Sequence, residues 1–282
     1  SAFVGTKVFN CYFPKLVRVG NFAFNCCPIK SLDNQNFPAL RIVGQCGFQQ
    51  SQVRSINLPS LLSIGEEAFS NCPVSSVDLP NLISLGNRVF CGSQNMLHFA
   101  AQNLRLIGDS CFAGCYQLRS IQCNVNLVKF VCNAKCGECP VCFREIDLCI
   151  ESEKSCEKFG ECLNDAQTQD YDTNEALNKF ELRSTLQNVR DAEEGQVIDK
   201  CLILKNKHYS QDAFANRLDF EAVVALNLKF VSKSMFSNCQ ELTTVIMPET
   251  KGIAIGDYSQ GAFVKTKVIN CFFPKLVKVG DF

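Results

Sequence analysis

The chemistry on offer in this sequence is sulfur chemistry. Of 19 cysteines in 282 residues, Cys132, Cys136, Cys139, Cys142, Cys149, Cys156 and Cys162 crowd into one short stretch. Three arrangements fit them. Disulfide staples suit a segment too small to be held by burial alone, and this is the preferred reading. Zinc is the alternative, because thiolates coordinate it at ~2.3 Å and Cys136-x-x-Cys139 with Cys142, Cys132 or Cys149 supplies the donors. A second C-x-x-C at the usual separation is missing. The run Cys132-x-x-x-Cys136-x-x-Cys139 also has an iron–sulfur spacing, but the barrel that such enzymes are built on is not visible. The two histidines, His98 and His208, lie far apart in sequence, and no motif gives either a nucleophile to activate. There is no P-loop, no G-x-G-x-x-G after a strand and no H-E-x-x-H. The expectation is therefore a protein that is not an enzyme and carries no cofactor, with zinc in the cysteine-rich stretch as the alternative.

Composition narrows the partners. The formal net charge is zero, so no broad basic field exists to hold phosphate backbones, and nucleic acid is not an expected partner. No apolar run approaches the ~18 residues of a membrane span. Hydrophobic residues make up 46% of the chain, which argues against wholesale disorder. Phenylalanine, at 23 residues, is abundant while tryptophan is absent, and phenylalanine fills a core without a polar atom that needs a partner.

What positions these residues is a repeat. Pro59, Leu62, Ile64, Gly65 and Phe69 return as Pro80, Ile83, Leu85, Gly86 and Phe90, each 21 positions later. A fixed period in the twenties marks a solenoid whose units cannot bury their apolar face alone. Units open at Pro14, Pro38, Pro59, Pro80 and Gln102, and the frame resumes through Phe214, Phe236 and Phe263 to Pro274. Each unit reads as a short strand, a proline or its equivalent, an apolar-Gly turn and a helical turn carrying phenylalanine. Ser55-Ile56-Asn57, Ser76-Val77-Asp78 and Ser120-Ile121-Gln122 alternate polar and apolar, the pattern of a strand buried on one face. If so, Ile56, Val77 and Ile121 stack in register. The glycine is expected to supply a turn that a side chain would hinder. Ala2 to Val17 returns, mostly identical, as Ala262 to Val277, an offset of 260, so the parent polypeptide is expected to continue past both ends in long blocks.

The segments expected are repeats over 1–131, a cysteine-rich and helical insertion over 132–196, and repeats again over 197–282. Within the insertion, Leu177, Phe180, Leu182, Leu186 and Val189 recur at roughly helical spacing and are expected to form one or two amphipathic helices beside the solenoid. In the repeats, Cys72, Cys115 and Cys239, and approximately Cys26, follow the phenylalanine. They read as buried free thiols in a recurring slot, as do Cys11 and Cys271 at inward strand positions.

The core Ile64-Gly65-Glu66-Glu67-Ala68-Phe69-Ser70-Asn71-Cys72, followed by Val74-Ser75-Ser76-Val77-Asp78-Leu79-Pro80, resembles the BspA-like leucine-rich repeat family. The resemblance covers about three quarters of the chain and leaves out only the insertion. It implies an α/β repeat solenoid, a right-handed array of short strands and short helical turns. It also implies use as a surface adhesin or interaction scaffold. On this reading the chain is a non-enzymatic scaffold for protein–protein contact, secreted or at the cell surface. The alternative is an intracellular, cytoplasmic or filament-forming structural protein that associates with itself. The absence of any N-x-S/T sequon leans towards that alternative.

The candidate binding surface is the outward row of the strand face. It comprises Asn10, Tyr12, Ser31, Asp33, Ser55, Asn57, Ser76, Asp78, His98, Ser120 and Gln122, and continues with Thr244, Ile246, Asn270 and Phe272. Tyr12 and Phe272, at equivalent positions, are the aromatic anchors of that ribbon, since aromatic residues often carry interface energy. The disulfide reading has a direct check. Native material should titrate with fewer free thiols than the 19 cysteines present and should contain no zinc. A full thiol count with bound zinc would replace it with the metal reading.

Overall fold

The computed structural model describes residues 2–123, 147–149, 186–254 and 261–280. The strands of the first half are β1 (Asn10–Tyr12), β2 (Arg18–Val19), β3 (Ser31–Leu32), β4 (Ile42–Val43), β5 (Ser55–Asn57) and β6 (Ser63–Ile64). They continue with β7 (Ser76–Asp78), β8 (Ser84–Leu85), β9 (His98–Ala100), β10 (Leu106–Ile107) and β11 (Ser120–Gln122). Next come β12 (Asp147–Cys149), a helix α1 (Leu186–Asp191), β13 (Val197–Ile198), β14 (Cys201–Leu204), β15 (Ala222–Ala225) and β16 (Phe230–Val231). The last are β17 (Thr244–Ile246), β18 (Gly252–Ile253), β19 (Asn270–Phe272) and β20 (Lys278–Val279).

These strands wind into a β-solenoid of about nine turns. Each turn contributes one strand to a first face, a second short strand to another, and a phenylalanine-bearing turn between coils. The order of coils in space is not their order in the chain. One sheet runs β1-β19-β17-β15-β14-β13, a second runs β10-β8-β6-β4-β2-β20-β18-β16, and a third runs β12-β11-β9-β7-β5-β3. The C-terminal coils therefore stack in front of the N-terminal ones, with Cys271 beside Cys11 and Val279 beside Val19. The expected row is present: Ile56 pairs with Val77, Val77 with Phe99, and Phe99 with Ile121.

Aromatic stacking marks the axis. Phe214, Phe236, Phe263, Phe3, Phe24, Phe48, Phe69, Phe90 and Phe112 form one column, with ring centroids 5.0 to 6.0 Å apart and nearly parallel planes. One hydrophobic cluster extends from Ala2 through Cys123 and from Leu202 through Val279. No coil has an inside of its own. The interior exists only between coils.

The helical turns expected around each phenylalanine do not form, and the α/β description is not supported. Two features of the backbone explain why. Left-handed residues recur four apart, as at Glu67 and Asn71 (φ 54° and 56°), Phe22 and Cys26 (54° and 59°) or Arg88 and Gly92 (54° and 77°). A right-handed helix cannot absorb such a residue every turn. In addition, alternate amides donate to the next coil rather than back along their own. Glu67, Phe69 and Asn71 donate to the carbonyls of Asn87, Val89 and Cys91 at 2.9, 3.0 and 2.7 Å. The amides between them close short turns within the coil, as Ala68 to Gly65 and Ser70 to Glu67 do. A helix would need those same amides for itself.

The glycine that follows the second strand has another task than the one expected. Gly65 and Gly86 do not adopt left-handed conformations. A Cβ at Gly65 would come within 2.7 Å of the Gln45 amide nitrogen, and one at Gly86 within 2.6 Å of that of Glu66. These positions are glycine because successive coils touch backbone to backbone there.

Of the helical insertion, the described residues hold only α1, one six-residue helix. Val189, and Ala192 just beyond α1, are buried against sheet residues, whereas Leu177, Phe180 and Leu182 lie outside the described residues. Two further elements finish the sheets. β12 pairs in parallel with β11 and extends the third sheet. β13 folds back antiparallel on β14 through Asp199 and Lys200, whose φ angles of 48° and 63° make the two-residue turn of a tight hairpin. Among the described residues no helix is long and apolar enough to cross a membrane.

Two substitutions test this account of the stack. Phe69→Ala, which removes a fully buried ring from the column, should cost about 3–5 kcal/mol in denaturant unfolding. Gly65→Ala adds one methyl group yet should cost about 1–3 kcal/mol, because the atoms it meets are backbone and cannot rotate away. A neutral Gly65→Ala would show that the coils are not packed this closely.

Candidate functional site

The outward face of the strand ribbon divides into two stretches of opposite character. In the third sheet the alternation is strict: Ser55, Asn57, Ser76 and Asp78 are exposed while Ile56 and Val77 are buried. Register places Ser31, Ser55, Ser76, His98 and Ser120 in one line across β3, β5, β7, β9 and β11. Asn57, Asp78, Ala100 and Gln122 form a second line beside it. Adjacent members are one strand spacing apart, ~4.8 Å. His98 Nδ1 and the Ser120 hydroxyl lie 2.6 Å apart. Partial burial raises the Asp78 carboxyl above its ordinary value. His208 is on an exposed loop away from these rows.

The first sheet behaves differently. Thr244, Ile246 and Phe272 were expected on the open ribbon, but they are only 4%, 0% and 2% exposed. They lie on the side of the sheet away from the main core and are covered. Ile246 and Phe272 join Cys201, Ile203, Ala222, Val224, Val189 and Ala192 in a second hydrophobic cluster. The alternate residues Leu202, Leu204, Val223, Ala225, Val245 and Cys271 face the main core. Strands apolar on both sides must be covered on both sides. The signal was in the sequence: Cys201-Leu202-Ile203-Leu204 and Ala222-Val223-Val224-Ala225 are unbroken apolar runs, unlike Ser-Ile-Asn or Ser-Val-Asp. Asn270 is half-buried and donates to the Thr244 hydroxyl at 3.3 Å. Tyr12 is half-buried at the border of this covered stretch and Asn10 precedes it on β1.

The border has a local cause. The coil from Pro14 to Pro38 is three residues longer than the coil from Pro38 to Pro59. Its extra residues turn around Asp33, whose carboxylate accepts the amides of Gln35 and Asn36 at 3.0 Å each. Phe13 then donates to Asn36 rather than to a strand partner, and β1 and β3 belong to different sheets. Asp33 is thus committed to a turn.

An open groove on the flank of the second sheet, lined by Arg41, Pro59, Leu62, Asn81, Ile83 and Arg105 among others, was not anticipated. Asn81 and Asn103 brace its floor by donating to the carbonyls of Pro59 and Pro80, both at 2.9 Å. The spacing of 22 residues between these asparagines was legible. That their side chains bond from coil to coil was not.

The cysteines of the repeats are structural donors. Cys27, Cys72, Cys115 and Cys239 direct their thiols at the carbonyls of Phe3, Phe48, Phe90 and Phe214, in each case one coil away, at 2.9 to 3.1 Å. Ser93 takes the same role towards Phe69 at 3.5 Å, and Ser51 touches the Cys72 sulfur at 3.3 Å. The occupant of this slot is Cys27. Cys26, the residue expected there, is exposed at a left-handed position. Burial pushes the thiols of Cys72 up to about 11 and of Cys115 up to about 12, and it raises Cys271. Outside β12, the twelve cysteines among the described residues are free. Among the described residues, no group of three His, Cys, Asp or Glu side chains is placed to hold a metal ion. Cys132, Cys136, Cys139 and Cys142 fall outside the described residues, and with them both the disulfide and the zinc readings.

This slot makes a graded prediction. Cys72→Ser keeps a donor for the Phe48 carbonyl and should be nearly neutral. Cys72→Ala removes this second donor while the Ser51 amide still satisfies the Phe48 carbonyl, and should cost about 0.5–1.5 kcal/mol. Because the thiolate is the reactive form, raised values also mean protection. In native protein near pH 8, iodoacetamide should label exposed Cys26 well before Cys72 or Cys115. Equal labelling would contradict the buried slot.

The family model described as BspA type leucine rich repeat region (6 copies) matches residues 17–137 and 206–281, well over half of the chain. A search of curated proteins finds no match. Among solved structures, the crystal structure of the pneumococcal vaccine antigen PcpA is 12% identical, with a TM-score of 0.31 over 99% of this chain and 80% of that one. A leucine-rich repeat protein from Bacteroides ovatus ATCC 8483 is 17% identical, with a TM-score of 0.34 over 95% of this chain and 68% of that one. By its repeats, and by the family model that matches them, this chain belongs to the BspA-type leucine-rich repeat family.

Proposed function

We propose that this chain is a non-enzymatic scaffold that engages a protein partner through the exposed rows of the third sheet. Family membership supports the scaffold. The observation that carries the choice of surface is the contrast between the two stretches of ribbon. Ser55, Asn57, Ser76, Asp78, His98 and Gln122 are exposed on a rigid parallel ladder, whereas Thr244, Ile246 and Phe272 are already covered. The contact surface is therefore narrowed to β5, β7, β9 and β11, with Ser31, Ser120 and Tyr12 at its margins. Side chains at fixed strand spacing suit an extended, polar contact on another protein.

The cell surface or the exterior is the proposed location, on the strength of the family. The free thiols of the repeats do not argue against it. Most of them, Cys72 and Cys115 included, are buried and held protonated, so an oxidising compartment would find little thiolate there, with exposed Cys26 the exception.

A photoreactive amino acid in place of Ser76 should give discrete protein adducts from the surfaces that the source cells contact. The double variant Asn57→Arg with Asp78→Arg should reduce those adducts at least tenfold while leaving the circular dichroism unchanged. The same probe in place of exposed Ile83, on another face, should give none. Equal adduct formation from both positions, or adducts indifferent to the double variant, would refute this surface. Antibody labelling of unpermeabilised cells checks the location separately.

A further inference from the structure

The join between the last coil and the first is made without a covalent link, and its two sides are near-copies. Residues 262–277 repeat residues 2–17 with most positions identical, and the structure lays one on the other. Asn10 pairs with Asn270, Cys11 with Cys271 and Tyr12 with Phe272. On the second face Arg18 pairs with Lys278 and Val19 with Val279. The Phe3 and Phe263 rings stack at 5.0 Å and 8°, as close as any pair within one half and nearly as parallel as Phe48 and Phe69 at 5.5 Å and 3°. Hydrogen bonds cross the join on all three sides of the coil, from Phe9 to Ile269, Val17 to Val277 and Phe263 to Ala2. In pairing, stacking and hydrogen bonding it is an ordinary coil-to-coil interface.

Elsewhere in the stack such an interface is held by the chain passing directly from one coil to the next. Here the two sides are tied only through the long route 124–196. Its described elements divide cleanly: β12 pairs with the N-terminal coils, and the residues of α1 and its C-terminal flank pack on the C-terminal sheet. Residues 150–185, which join those two anchors, could extend to the order of 100 Å at ~3.3 Å per residue. Nine coils at ~4.8 Å make an array on the order of 40 Å. The tether therefore does not force the halves of one molecule onto each other.

We propose that this seam exchanges between two copies of the chain, so that residues 186–280 of each copy dock on coil 2–20 of the other in a reciprocal dimer. Every interaction formed across the seam between two chains replaces the same interaction inside one. The balance is then set by concentration against the effective concentration that the tether provides. Like the closed monomer, a reciprocal dimer leaves no seam open, and it is the smallest exchanged assembly to do so. This inference rests on the seam alone and is independent of the exposed rows of the third sheet.

The test uses the whole chain. Equal amounts of unlabelled and nitrogen-15-labelled protein are mixed in denaturant, refolded together at a series of concentrations and treated with a lysine-reactive crosslinker. Lys7 and Lys267, and Lys15 and Lys275, are exposed on neighbouring coils at the seam. Mass spectrometry of these two crosslinks reports whether the partners came from one chain. Exchange predicts a mixed-isotope fraction that rises with concentration from near zero towards about one half, in step with a dimer seen by light scattering. A mixed fraction that stays near zero at every concentration overturns the proposal. So do dimers whose Lys15–Lys275 links remain within one chain, because association would then use another surface.

Discussion

The coils of this molecule give alternate amide hydrogens to their neighbours in the stack. That one constraint explains together why the phenylalanine turns are not helical and why glycine recurs between coils. A turn that spends alternate amides on its neighbour has none left for a helix of its own. A neighbour close enough to accept them leaves no room for a Cβ at Gly44, Gly65 or Gly86. The Phe48 carbonyl accepts the Ser51 amide of its own coil and takes the Cys72 thiol of the next coil as a second donor. Stability in such an array is a sum of neighbour terms rather than a property of any single unit.

The period and the phenylalanine column were legible because they depend on residue type and spacing alone. The alternation of polar and apolar residues puts Ile56, Val77 and Ile121 in one row, and they lie there. The helical turn was misjudged for a physical reason. Ala68-Phe69-Ser70-Asn71 has the composition of a helix segment, and nothing local shows that Glu67 and Asn71 will adopt left-handed backbone. That conformation is imposed by the neighbouring coil, which propensity does not see. The order of coils was hidden as well. Two similar segments 260 residues apart state that they could occupy similar places, not that they would be adjacent.

The candidate surface was half legible. Ser55, Asn57, Ser76 and Asp78 alternate with apolar neighbours and are exposed, as polar residues on a one-sided strand should be. Ile246 and Phe272 were placed correctly on the outward side of their strands, but outward was mistaken for open. The apolar runs in β14 and β15 required a cover, and Val189 and Ala192 supply part of it. Asp33 was misread for a different reason. Its carboxylate accepts two amides of the turn that it opens, so its chemistry is used up locally. A polar residue at the mouth of a longer coil more often closes a turn than greets a ligand.

The antiparallel hairpin of β13 and β14 has a consequence for solubility. A solenoid of parallel strands ends, by construction, in a row of unsatisfied donors and acceptors that invites any extended peptide to add on. Folding two residues back through Asp199 and Lys200 reverses the strand polarity at that edge and shortens what is left to template. Lys200, ion-paired with Glu221 at the bend, brings charge to the same border. One terminus of the array is thereby blunted against amyloid-like growth by two residues and a tight turn.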